Sequence, residues 1–387
     1  MMSGGQQAGV ASSVTSMSLP EGIRSRIVPG INGLDVHVLE AGFPEANAAP
    51  VRPAVLLLHG FPELAYSWRE VMLPLAEAGY HVVAPDQRGY GRTTGWSDHY
   101  DADLHPFRML NLVRDALGLV FALGHQQVAA VVGHDFGSPV AAWCALLRPD
   151  VFRSVVLMSA PFGGPPSLPL VPGGVDHAGL AALARPRVHY QAYYSTRAAS
   201  ANMRDCPEGV HACLRAYYHM KSADWRENRP YALQSFAASE LASMPTYYIM
   251  DAELGMAETV APHLPGADAI AICQWLPEAA LAVYASQYQK NGFQGGLQWY
   301  RCAAEPRFIA EMQTWAGRTI DVPALFIAGD CDWGTYQKPG EFEKMQTTAC
   351  TDFRGAHLVK GAGHWVQQEQ PEAVSQLLRS FLAAVNA

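Results

Sequence analysis

In the stretch Val132-Gly133-His134-Asp135-Phe136-Gly137-Ser138, glycine stands two residues before and two residues after an aspartate. Small residues at both places are what a sharp strand-to-helix turn needs when it displays a nucleophile. Esterases put serine at the centre of such a turn, in a G-x-S-x-G pattern that this chain does not contain. An aspartate that only caps the following helix would not need glycine on both sides. A carboxyl with an intrinsic pKa of about 3.9 is ionised at neutral pH without help. It can attack a saturated carbon bearing a leaving oxygen or halogen, which gives an alkyl ester of the enzyme. That ester needs an activated water, so a histidine and its orienting acid must follow in the chain. His364, in Gly361-Ala362-Gly363-His364-Trp365, is the candidate base. Its acid is expected to be Asp332, in Gly329-Asp330-Cys331-Asp332-Trp333-Gly334, with Asp330 as the competitor. Nucleophile, acid, histidine is the chain order of α/β-hydrolases.

His59-Gly60-Phe61-Pro62-Glu63 follows an apolar run. An oxyanion hole in this architecture takes one amide from that loop and one from the residue after the nucleophile. The expected donors are Phe61 and Phe136. Pro62 suits a tight turn, cis included. His59, Pro62 and Trp365 are expected to line the substrate.

The elements that must position these residues can be read from periodicity. Residues 54–58, 128–132, 155–158 and 323–328 are continuous apolar runs, as suits strands buried on both faces. Residues 81–84 and 357–359 are further strands, and helical spacing covers 68–78, 138–148 and 371–385. Strand and helix in alternation predict a mostly parallel sheet with helices on both faces. The rhythm breaks after Pro161 in a stretch rich in glycine and proline, and about 180–315 is rich in Tyr, Trp, Met and Ala without buried-strand runs. This predicts a core of 21–161 and 319–387, split by a linker loop and helical cap over 162–318, with a disordered leader at 1–20. No repeats are found.

The 387 residues exceed one ordinary core, and only 16% are charged against 49% hydrophobic. A net charge of −8 without a long basic run gives no footprint for nucleic acid. Seven cysteines, without C-x-x-C or metal-ligand spacing, read as reduced thiols in a cytoplasmic protein. No apolar stretch reaches the roughly 18 residues of a membrane span.

The Asp135 turn, His59-Gly60-Phe61-Pro62-Glu63, Gly89-Tyr90-Gly91 and Gly363-His364-Trp365 together resemble the α/β-hydrolase-fold epoxide hydrolases. The resemblance covers nearly the whole chain after the leader. It implies hydrolysis of an apolar epoxide to a vicinal diol, with water as co-substrate and no cofactor or metal, and it allows a homodimer. It also implies two lid tyrosines that hydrogen-bond the epoxide oxygen. Tyr284 fits one motif, followed by Gly292-Phe293 and Leu297-Gln298-Trp299-Tyr300-Arg301. Tyr190, in His189-Tyr190-Gln191-Ala192-Tyr193-Tyr194, fits the other, with Tyr193 as its competitor. Where the family often has Trp after the nucleophile, this chain has Phe136. Dehalogenases share the aspartate. Those acting on haloalkanes typically use that Trp and an Asn in the oxyanion loop, and those acting on fluoroacetate use Arg. Phe136 and Phe61 supply none of these. A non-catalytic binding protein would have no use for an Asp135, Asp332, His364 set.

Overall fold

The structure is a computed structural model and describes residues 18–43, 52–169 and 174–386, so most of the expected leader lies outside the described residues. Its centre is a sheet of eight strands, ordered β1-β2-β4-β3-β5-β6-β9-β10. These are β1 (Ile23–Ile31), β2 (Leu34–Ala41), β3 (Ala54–Leu58), β4 (His81–Pro85), β5 (Val128–His134), β6 (Val155–Met158), β9 (Ala324–Gly329) and β10 (Phe353–Val359). The pairs β1/β2 and β2/β4 are antiparallel and the rest parallel. The apolar runs of β3, β5, β6 and β9 are buried throughout because helices cover both faces. The helices α1 (Arg69–Glu77), α2 (Met109–Ala122) and α3 (Gly137–Leu147) and the terminal helix Pro371–Val385 provide that cover. The fold is an α/β-hydrolase fold.

Between β6 and β9 the chain leaves the sheet and forms a helical lid, including Tyr190–Tyr194, Gly209–Lys221, Glu278–Asn291 and Gln294–Ala304. The lid also contains a short antiparallel ribbon of β7 (Arg187–His189) and β8 (Ile249–Asp251). Strands of three residues are too short to give an alternation that periodicity can detect. Lid and core meet tightly at Gly89, where a side chain would lie 2.5 Å from the Gly295 carbonyl oxygen. The Trp299 indole then donates to the Arg88 carbonyl at 2.9 Å. No helix among the described residues is long and apolar enough to cross a membrane.

Candidate active site

Every candidate catalytic residue of the core follows the C-terminal end of a strand in the sheet, the side where α/β folds bind ligands. Asp135 follows β5 at φ 52°, a left-handed conformation that costs an ordinary residue about 1–3 kcal/mol. The flanking glycines explain how the turn is accommodated. A Cβ on Gly133 would lie 2.1 Å from the Gly137 carbonyl oxygen, and one on Gly137 2.3 Å from that of Leu58. A Cβ on Gly60 would meet the Asp135 side chain at 2.4 Å, so the loop after β3 lies directly against the carboxylate.

Two groups hold that carboxylate. The Phe61 amide donates to Oδ1 at 2.9 Å, and His364 Nε2 lies 3.1 Å from Oδ2. Burial alone would raise the Asp135 pKa. The hydrogen bond and charge of His364, with the fields of Lys221 and His134, outweigh it and hold the carboxyl well below the ordinary range. The other imidazole nitrogen, Nδ1, lies 3.0 Å from Asp332 Oδ1. Asp330 points elsewhere, accepting the Gly361 amide at 2.9 Å. Side-chain exposure is 11% for Asp135 but 1% for His364 and Asp332, so Asp135 is the most reachable of the three. Phe136 opens α3, with its ring edge-on to Trp299 and Tyr300. Among the described residues no group of His, Cys, Asp and Glu could hold a metal ion.

Tyr190 is buried, donates to Gln337 Oε1 at 3.1 Å and accepts from Gln191 Nε2 at 3.1 Å. Burial, and next the Asp135 anion, raise its pKa well above the ordinary value, so the phenol keeps its proton. Tyr193 instead donates to Asn202 on the lid at 2.8 Å. The Tyr284 hydroxyl lies 2.8 Å from Ser67 Oγ and 3.0 Å from Gln368 Oε1. A buried phenol needs a polar partner, and Ser67 and Gln368 satisfy this one. The structure therefore places Tyr190 in the field of the Asp135 carboxylate, and engages Tyr193 with Asn202 and Tyr284 with Ser67 and Gln368.

The expected substrate contacts of His59, Pro62 and Trp365 need correction. His59 is fully enclosed, with Nδ1 2.8 Å from the Gly60 carbonyl and Nε2 accepting the Gln87 amide at 3.1 Å. Both nitrogens are spent on backbone, so His59 braces the loop. Pro62 follows a cis bond and accepts the Tyr218 hydroxyl at 3.1 Å, tying that loop to the lid. Trp365 stacks on Tyr218 and donates its indole N–H to the Tyr218 carbonyl at 2.9 Å. Pro62 and Trp365 thus share the role of docking lid on core.

Four supporting residues were not singled out from the sequence. Ser159, at φ 68°, hydrogen-bonds Asp332 and lies 2.8 Å from His364 Nδ1. Glu369 accepts the amides of Gly363, Trp365 and lid residue Ala223 at 2.8 to 3.0 Å, which fixes the backbone on both sides of His364. His134 lies between Glu63 Oε2 at 2.6 Å and the His364 carbonyl at 2.7 Å. That carbonyl can only accept, so Nε2 carries a proton. The Glu63 carboxyl is kept low against burial by His134, and the His134 imidazole is kept high against burial by Glu63. The pair is therefore ionic. No sequence pattern announces these contacts, although His134 inside the nucleophile turn was a cue.

The ion pair predicts a pH dependence of stability. Glu63, with its pKa lowered, stabilises above its unfolded value of about 4.3 and loses this as pH falls through its folded value. His134, with its pKa raised, stabilises fully below about 6.5 and loses this as pH rises through its folded value. The contribution is largest between those two unfolded values. Glu63→Gln leaves a buried imidazolium unpaired, which costs about 3–5 kcal/mol. Thermal unfolding from pH 4 to 9 should show a lower Tm and a weaker pH dependence. An unchanged Tm profile would contradict the ionic pair.

A family profile described as alpha/beta hydrolase fold matches residues 53–190. Epoxide hydrolase B of Mycobacterium tuberculosis is 34% identical over 360 residues, which cover 91% of this chain and 96% of that protein. The chain belongs to the α/β-hydrolase-fold epoxide hydrolases. Among solved structures, an epoxide hydrolase from an endophytic Streptomyces superposes with a TM-score of 0.76 at 31% identity, covering 95% of this chain and 97% of the other. Epoxide hydrolase A from Mycobacterium thermoresistibile gives a TM-score of 0.72 at 31% identity, covering 93% and 98%. Both likenesses span core and lid, so family membership extends to the region that covers Asp135.

Proposed function

We propose that this enzyme opens an apolar epoxide to a vicinal diol through an ester on Asp135. The observation that carries this reading is the Asp135 carboxylate held between the Phe61 amide and His364. An ionised Asp135 oxygen attacks an epoxide carbon, the ring C–O bond breaks, and the alkoxide takes the proton of Tyr190. The ester carbonyl then faces the amides of Phe61 and Phe136. His364, oriented by Asp332, takes a proton from water, whose oxygen adds to that carbonyl. Collapse expels the diol oxygen, which takes a proton as the acid reverts to the carboxylate, and the proton held by His364 returns to Tyr190 through solvent. The two amides act where the negative charge develops, which is where preorganised donors contribute most. Tyr284 reaches the epoxide in this scheme only by leaving Ser67 and Gln368.

The apolar preference rests on the aromatic side chains packed around the site. The Phe61 ring stands edge-on to Tyr194 and Tyr300, and Phe136 to Tyr300. Aryl, alkyl and terpenoid epoxides assayed beside haloalkanes of matched size test the reaction class. Diol should form from at least one epoxide, with halide release much slower, because Phe61 and Phe136 stand where haloalkane dehalogenases carry their halide-binding Asn and Trp. Halide release with no diol from any epoxide would sink the proposal.

A further inference from the structure

An α-helix ends on four carbonyls that have no partner within the helix, and a buried one must find a donor elsewhere. The lid helix Gly209–Lys221 ends on Tyr218, His219, Met220 and Lys221, and its cap, Ser222, is extended at φ −86° and ψ 172°. The His219 carbonyl takes the Ser222 amide at 3.1 Å, and the Met220 carbonyl takes the Asn228 side-chain amide at 2.8 Å. The other two are met from the core. The Tyr218 carbonyl accepts the Trp365 indole N–H at 2.9 Å, and the Lys221 carbonyl accepts the His364 backbone amide at 2.8 Å. The loop of the catalytic histidine therefore caps this lid helix.

Glu369 completes the joint from the core side. It ends the short helix Val366–Glu369 that follows the histidine. Its Oε1 accepts the Trp365 amide at 3.0 Å, and its Oε2 accepts the Gly363 amide at 2.9 Å and the amide of lid residue Ala223 at 2.8 Å. The amides on either side of His364 are thus fixed by Glu369, and that of His364 itself by the lid. The space is closed as well. A Cβ on Gly363 would lie 2.5 Å from the Ser222 carbonyl carbon and 2.6 Å from the Ala223 nitrogen. His364 must present Nδ1 to Asp332 at 3.0 Å and Nε2 to Asp135 at 3.1 Å, and the backbone of the loop sets where the imidazole starts.

We propose that Glu369 is a positioning residue that, with the Lys221 carbonyl, interlocks the lid with the catalytic base, so that His364 is set for hydrolysis only while the end of the lid helix is docked. The two chemical steps then make different demands. Alkylation relies on Asp135, held by the Phe61 amide at 2.9 Å, and on Tyr190, held by Gln337 at 3.1 Å, contacts that lie outside the joint. Activation of water relies on His364 and so on the joint. The ester is hydrolysed under a docked lid, and Glu369 acts through His364 without touching the reacting atoms.

The inference rests on the Asp135 ester reading. Single-turnover rapid quench, with an epoxide that the wild type turns over, separates the rise of the Asp135 adduct from its decay, and intact mass reports the adduct. Glu369→Ala should keep a rise close to that of the wild type and slow the decay by about 10²-fold, the cost of a catalytic group displaced by about 1 Å. Glu369→Gln, which retains one acceptor oxygen, should recover part of that loss. The lid side should give the same signature. Asn228 holds the helix end by donating to the Met220 and Ser222 carbonyls at 2.8 and 2.7 Å, on the far side of the joint from Glu369. Asn228→Ala should therefore also show a normal rise and a slowed decay. If it does not fold, Tyr247→Phe, which removes the 2.6 Å hydrogen bond to Asn228 Oδ1, makes the same test. Decay at the wild-type rate in Glu369→Ala would overturn the proposal. So would a loss shared equally by rise and decay, which would make Glu369 a purely structural residue. Slow decay in Glu369→Ala beside normal decay in the lid variants would leave a brace within the core and overturn the interlock. A wild type that forms no adduct from any epoxide sinks the parent reading instead, and that outcome is visible before any variant is made.

Discussion

A His364→Gln enzyme, given an epoxide that the wild type turns over, should gain one substrate mass and keep it. Alkylation needs only the ionised Asp135 and the lid acids, so it should proceed at close to the normal rate. Hydrolysis needs a base at the ester, and glutamine is not one, so turnover should fall by about 10⁴-fold. Intact-protein mass spectrometry followed by peptide mapping should place the adduct on Asp135. Asp332→Asn should show a slower form of the same defect, since it disturbs the imidazole through the contact at 3.0 Å. Asp330→Asn should not, because Asp330 serves the Gly361 amide on the outer side of the loop. An unmodified His364→Gln protein would refute this division of labour.

Loss of the nucleophile should be more complete still. Asp135→Ala should form neither adduct nor diol, with turnover reduced by about 10⁶-fold, comparable to removing the nucleophile of a serine protease. The wild type provides the matching positive result. In ¹⁸O water under single turnover, the first diol should take its new oxygen from the enzyme and carry no solvent label. The label should then appear in the Asp135 carboxylate, because water adds to the ester carbonyl and not to the substrate carbon. Solvent label in the diol of the first turnover would mean that water attacks the epoxide directly, with Asp135 as a base.

The elements of the core and the turn at Asp135 were legible because they depend on local backbone requirements and on order along the chain. Asp135 could be picked out because a left-handed turn crowded on both sides admits only glycine at 133 and 137, whatever else the chain does. The runs of β3, β5, β6 and β9 were legible because strands buried on both faces must be continuously apolar. The exposed edge strand β1, with polar residues at Arg24, Ser25 and Arg26, carries no such run and was passed over. The ribbon of β7 and β8 was too short to register.

Orientation across the seam between lid and core was a different matter. The motif at Tyr284 marks a helix and a register along it, but its hydroxyl goes to Ser67 and Gln368, residues 217 and 84 positions away in the chain. The same holds for Glu369, whose carboxylate joins the histidine loop to Ala223, and for Ser159 beneath Asp332. Lys221 reads from sequence as a charge ending a helix, and only the docking of that helix against Trp365 and Tyr248 buries it beside the site. Residue type and local spacing determined which groups could react in this protein. Tertiary packing decided which of them face the nucleophile, because the pairing of a buried polar group depends on what two separately formed surfaces present to each other when they close.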